Sequence, residues 1–386
     1  MIRRHAISTA RRAFTLVELM VTITIVLIMM SILATASSIA ADAFRGAKVQ
    51  GDFVAQERAA LAVLRRDLQF PHFLEEDGKP NLGRRLSDQR LDKLTVSGTT
   101  LTGYKPPKSG YFYAESTKVD NVWNFDELSD GDGFQSSRSG NHVLQFTIIV
   151  PGGAPEDTLI ADVPFQTTSP PVVGRTAEVA YFLVANGTTP GGVNKYKLIR
   201  RQRLAAFNDD DKPAYSGLVA PIALTDASEV MTAYRDPPTS PPNRVSHLND
   251  LTLAKHRLGG SLAPARGAIT GNRIGEDVLL TNVTSFEVKF TGTTGTTGTP
   301  AGFTWPAPFT TNSDYPYDNL PLDGKFDTFH QAAGWDTVTA VASNLANATN
   351  TTRALKKIRI TGVSIRLRCW NPNSKSSRQT TIIVDL

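Results

Sequence analysis

Phe14–Ala41 reads FTLVELMVTITIVLIMMSILATASSIAA, and the rest of the chain takes its meaning from this stretch. From Leu19 to Ala41 there are 23 consecutive positions without a charged side chain. A helix rising about 1.5 Å per residue covers roughly 35 Å in that distance, enough to cross a bilayer core of about 30 Å. Glu18 alone breaks the apolar run near its start, and two arginine pairs, Arg3-Arg4 and Arg11-Arg12, precede it. A carboxylate at the edge of such a segment is costly and marks a functional position. Two plainer readings compete. Ala34-Thr35-Ala36 has the form of a secretory signal cleavage site, and an anchor that is never cut needs no site at all. Neither gives a reason for Glu18.

Outward from this segment, charge sets the topology. The chain of 386 residues carries a formal net charge of +5, but residues 1–13 hold four arginines and no acid. Without them 37 basic residues face 36 acidic ones, so the basicity belongs to the N-terminus and no nucleic-acid partner is predicted. Positive charge stays on the cytoplasmic side, which places the body after Ala41 across the membrane. Cys369 is the only cysteine, so the body must fold without an internal disulfide, and it is long enough to bury a core instead.

The run Ala13-Phe14-Thr15-Leu16-Val17-Glu18, with its basic leader and apolar helix, resembles the prepilin peptidase site of type IV pilins and type II secretion pseudopilins. The family normally has Gly before the cut, where this chain has Ala13. The resemblance implies cleavage between Ala13 and Phe14, N-methylation of the freed Phe14 amine, and pairing of that amine with Glu18 of a neighbouring subunit. It also implies a bacterial inner-membrane protein of one pass, N-terminus cytoplasmic and body extracytoplasmic, later part of a filament. Its partners would be the prepilin peptidase and other pseudopilins or pilins. A second resemblance lies in Glu57–Gln69 (ERAALAVLRRDLQ), which is similar to the spine of J-type minor pseudopilins.

Residues 42–70 are free of proline, and Val54, Leu61, Leu64 and Leu68 recur on one helical face, with Glu57 on the same side. A helix from about Thr15 to Phe70 follows, stopped by Pro71 and weakened at Gly46 and Gly51, where a bend is expected. Beyond it the period changes to that of strands: Leu94–Val96, His142–Val150, Glu178–Val184, Tyr196–Leu204, Asp277–Phe290, Leu355–Trp370 and Gln379–Leu386. In the segment 363–369 odd positions are apolar, whereas Ile358 and Ile360 are even, so the spacing predicts a β-bulge at Thr361-Gly362. Asn371–Ser374 reads as the turn of a terminal hairpin. The expected fold is pilin-like α+β, a long N-terminal transmembrane and spine helix packed on a mainly antiparallel sheet with long loops. Its parts are a leader at 1–13, a transmembrane helix at 14–41, a spine at 42–70 and a body at 71–386 with insertions at 205–274 and 291–353. Segments 72–93 and 114–141 also read as loops, and Gly292–Ala301 as low-complexity and mobile.

Catalytic chemistry is not predicted, nor is any cofactor. The six histidines show no metal-ligand spacing, lone ones reading as polar surface, and no Ser/His/Asp or Cys/His pattern or phosphate-binding glycine loop is present. Asp130 and Asp132, beside Asp126 and Glu127, are weak calcium candidates on a Gly-containing loop, and Asp209–Asp211 weaker still. Arg200, Arg201 and Arg203, with Arg353, Lys356, Lys357, Arg359, Arg366 and Arg368, read as a solvated strand face or as protection against edge pairing. The functional expectation is a minor pseudopilin of a type II secretion system. The alternatives are a minor pilin of a type IV pilus for adhesion, motility or DNA uptake, or a membrane-anchored carbohydrate-binding module or enzyme.

Overall fold

The computed structural model describes residues 15–74, 83–88, 95–97, 100–102, 107, 109–115, 118–119, 122–123, 140–151, 158–161, 172–206, 232–234, 244–253, 256–258, 276–295, 301–305, 325–328, 357–372 and 374–386. Two compact units result, Met1–Ala55 and Gln56–Leu386. A single helix, α1 (Leu16–Gln69), runs uninterrupted through both Gly46 and Gly51 and contributes to each unit.

In the first unit the helix is apolar and its side chains are exposed from Leu16 through Ile39. By length and composition it is able to cross a membrane. Three threonine hydroxyls are turned back on the helix: Thr22 donates to the Glu18 and Leu19 carbonyls, Thr24 to Met20 and Thr35 to Ser31, each at 2.8–2.9 Å. Such bonds leave no hydroxyl donor bare in a medium without water.

The second unit is built on a nine-stranded sheet: β1 (Phe112–Glu115), β2 (Val143–Ile149), β3 (Thr176–Thr188), β4 (Asn194–Ala205), β5 (Glu276–Gly295), β6 (Ala301–Trp305), β7 (Lys325–Asp327), β8 (Lys357–Asn371) and β9 (Ser376–Asp385). Its order is β7-β1-β2-β3-β4-β5-β8-β9, with β6 also on β5, and every pair is antiparallel. The bulge expected from the phase flip is present. Thr291 lies opposite Gly362 and Gly292 opposite Ile360, so Thr361 is the extra residue. Ile360, Val363, Ile365, Leu367 and Cys369 are thereby all buried. A second bulge, where β4 and β5 shift register between Leu198–Leu280 and Tyr196–Val283, holds Asn282 at φ 58°. Asparagine tolerates that conformation better than most residues with a side chain.

Several segments read as loops carry structure. Gly292–Gly295, within the stretch taken as low-complexity and mobile, continues β5. The insertions contain β6, β7 and the ribbon Ala233–Tyr234/Arg244–Val245. Strands of two to five residues are too short to show alternation, and pairing with longer neighbours fixes them.

From Gln56 onward α1 packs one face of the sheet through Ala60, Leu61, Leu64 and Leu68. The same core holds an aromatic cluster. Phe112 and Phe146 stack at 5.2 Å, Phe290 lies 5.6 Å from Phe112 and 4.8 Å from Phe326, and His72 is 5.0 Å from Phe146. Gly110 is confined to glycine: its φ is +84°, and a Cβ would fall 2.1 Å from the His72 carbonyl oxygen.

His72 corrects the expectation of a surface histidine. It is fully buried, its Nδ1–H donates to the Thr147 carbonyl at 2.8 Å, and Nε2 has no partner among the described residues. Burial lowers its pKa to about 4. In the unfolded chain the ring takes a proton near pH 6.5, in the folded one only near 4, so its contribution to stability is complete above pH 6.5 and falls as the pH drops to 4. The difference corresponds to about 3 kcal/mol. We expect His72→Gln to remove that part of the acid sensitivity. Urea melts of both proteins at pH 7 and pH 4 measure it, and an equal acid loss in the two would disprove it. His142 and His256 are likewise buried, the former accepting from the Val288 amide at 3.1 Å.

Candidate functional site

The helix begins where the sequence places its decisive motif. Thr15 Oγ1 accepts from the Glu18 amide at 3.3 Å, and the Thr15 carbonyl accepts from the Leu19 amide at 3.1 Å. Thr15 is thus the N-cap of α1 and Glu18 its third residue, the spacing of a capping box. That spacing was visible in Thr15-Leu-Val-Glu18 as a helix-start signal independent of any cleavage site. The Glu18 side chain is exposed, and among the described residues nothing pairs with its carboxylate. An acid near the positive end of the helix dipole is favoured by a few tenths of a kcal/mol up to about 1. An acid inside hydrocarbon costs about 2.5–3.5 kcal/mol on insertion scales. The desolvation term is the larger, so a carboxylate held there calls for a cation from outside its own helix. Ala13 and Phe14 lie outside the described residues, as do Asp126, Glu127, Asp130, Asp132 and Asp209–Asp211. Among the described residues no cluster of ligating side chains could hold a metal ion.

The second feature is the way the sheet grips α1. Glu57, an acid on the apolar stripe, ion-pairs with Arg378 of β9 at 3.3 Å. In the last turn of the helix, two residues before its end, Asp67 is fully buried. Its Oδ2 accepts from Arg200 Nε and from the Tyr181 hydroxyl, both at 2.6 Å, and its Oδ1 lies 3.3 Å from Arg66. Burial, with Asp67 beside it, pushes the Tyr181 hydroxyl well above the ordinary phenol range. Arg200 continues the chain to Gln202 at 2.8 Å.

On the opposite face of β3 and β4, Glu178 accepts from Tyr111 at 2.6 Å, from the Leu258 amide at 2.8 Å and from Arg203. Arg201 pairs with Glu276 across the β4–β5 register at 3.3 Å. The three arginines of β4 are therefore buried and neutralised, not solvated, and Arg368 is also buried. Arg353 and Lys356 lie outside the described residues. Residues 246–253 and 256–258 strap this face. Arg257 forms two bonds to Asp327, at 2.7 and 3.1 Å, and further bonds to the Leu251 and Thr252 carbonyls, with its guanidinium 4.1 Å from the Tyr111 ring centre.

The signal for the α1 anchors was in the sequence. Acids at 57 and 67 recur on the stripe of Leu61, Leu64 and Leu68, and an acid on a buried stripe requires a basic partner. Which arginine answers which acid depends on strand pairing over more than a hundred residues. Cys369, buried beside Glu57, has its thiol pushed up to about 12 and is inert packing.

The prokaryotic N-terminal methylation motif matches residues 8–34. No curated protein and no solved structure matches the chain.

Proposed function

We propose that this pilin-like protein with an N-terminal methylation motif is a minor pseudopilin of a type II secretion system, similar to the J type. The observation that carries the reading is Glu18, a carboxylate without a partner among the described residues, one turn into an exposed apolar helix and inside the span matched by the methylation motif. Prepilin peptidase cuts between Ala13 and Phe14. The freed and methylated Phe14 amine of one subunit then approaches Glu18 of its neighbour. Each subunit thus supplies the cation that the next one lacks, and desolvation of both charges makes a wrong stagger costly. The chain is anchored in the inner membrane by α1, with its sheet unit extracytoplasmic. Its work is assembly, and no bond-making step is assigned to it. The Arg257 strap and the buried arginine pairs support this reading, since they spend the polar residues of β3 and β4 on holding structure.

The deciding experiment is the N-terminal mass of the protein from its own host or co-expressed with a prepilin peptidase. A mature chain starting at Phe14 and carrying a methyl group is expected. A start at Met1 or near Ser37 would overturn the filament reading. In the same system Glu18→Ala should still insert in the membrane, while its recovery in sheared filaments falls at least tenfold. Lost secretion in a deletion strain identifies the secretion filament. Retained secretion with lost adhesion or motility would identify a pilus instead.

A further inference from the structure

Among the described residues, the longest edge of the sheet without a strand partner is that of its last strand. The edge of β5 away from β8 is covered in succession by β4 at residues 276–283, by Gly140–His142 at Phe286 and by β6 at residues 290–294. The far end of the sheet is β7, three residues long. At the other end stands β9, which pairs with β8 over its whole ten-residue length without a register shift. Its free edge has no strand partner among the described residues.

The direction of its backbone groups follows from the register. Gly362 lies opposite Asp385, and the Leu386 amide donates to the Thr361 carbonyl. Even-numbered residues of β9 therefore bond to β8, and the amides and carbonyls of Ser377, Thr381, Ile383 and Asp385 point away from it. The usual protections are missing. There is no proline, lysine or bulge in β9, and its one internal base, Arg378, is turned to Glu57. Ile383 is 65 % exposed on the face away from α1.

We propose that β9 pairs antiparallel with β9 of a second copy of this chain. A row of outward amides and carbonyls is complemented by another extended backbone, and the longest free edge that a second copy offers among the described residues is the same strand. Such pairing is isologous and closes at two copies. With Thr381 of one copy opposite Ile383 of the other, outward groups meet outward groups, and each exposed Ile383 is covered by β-branched side chains. This contact is separate from assembly through the helix and does not depend on it.

The test is light scattering of the full-length chain in detergent. The wild type is expected to be a dimer. Thr381→Pro removes only an outward amide, so the ladder to β8 survives. That variant and Ile383→Lys are each expected to raise the dimer dissociation constant at least tenfold with an unchanged circular dichroism spectrum, while Glu18→Ala leaves it unaltered. A monomeric wild type, or wild-type dimerisation in Ile383→Lys, overturns the proposal. The latter also decides the matter should Thr381→Pro fail to fold.

Discussion

Arg257→Lys is expected to destabilise the sheet unit almost as much as Arg257→Ala, by about 3–5 kcal/mol, the range for a buried ion pair that loses one partner. Lysine keeps the charge but not the shape. The Arg257 guanidinium reaches Asp327 through two nitrogens while Nε and Nη2 hold the carbonyls of Leu251 and Thr252, and its plane lies over Tyr111. A single ammonium cannot occupy these directions together. The loss should also be localised. Arg257 ties the strap to β7 through Asp327, 70 residues further along the chain. Hydrogen exchange should therefore quicken first at the Leu258 and Thr328 amides, which are held by Glu178 and the Phe112 carbonyl. Urea unfolding of the two variants checks the magnitude. A lysine variant within 1 kcal/mol of wild type would mean that charge alone matters at this position.

The helix was legible because its period is local: Leu61, Leu64 and Leu68 declare a face whatever they touch. The long strands were legible for the same reason, and even the bulge at Thr361 announced itself through the parity of Ile360 and Val363. The arginines of β4 misled because alternation distinguishes two faces without saying what covers them. A face bearing Arg201 and Arg203 looks solvated until residues 256–258, some fifty residues later, are found against it. His72 reads as surface on similar grounds, since its surroundings come from β1 and β2. Of the candidate site, the motif around Glu18 was plain, whereas the Asp67 anchor needed the tertiary fold.

That anchor bears the second large effect. Asp67→Ala should cost about 3–5 kcal/mol, because it strips the buried Arg200 guanidinium and the Tyr181 hydroxyl of their shared acceptor at the point where the last turn of α1 meets β3 and β4. Asp277 also pairs with Arg200, at 3.6 Å, but at 67 % accessible it is too screened by water to take the place of a buried carboxylate. The size of the loss must be separated from the worth of the pair. Burying both charges is itself expensive, so a well-packed apolar replacement of both partners is expected to recover most of the stability. We expect Asp67→Leu with Arg200→Met to lie within about 2 kcal/mol of wild type, so that the two substitutions couple strongly in a double-mutant cycle. Denaturant midpoints for the two single variants and the pair give that coupling directly. If the double variant were as unstable as Asp67→Ala, the ion pair itself would hold the end of α1 to the sheet. If it recovers, leucine packing at Leu61, Leu64 and Leu68 does so, and the charges serve to fix which residue of the helix lies over which strand.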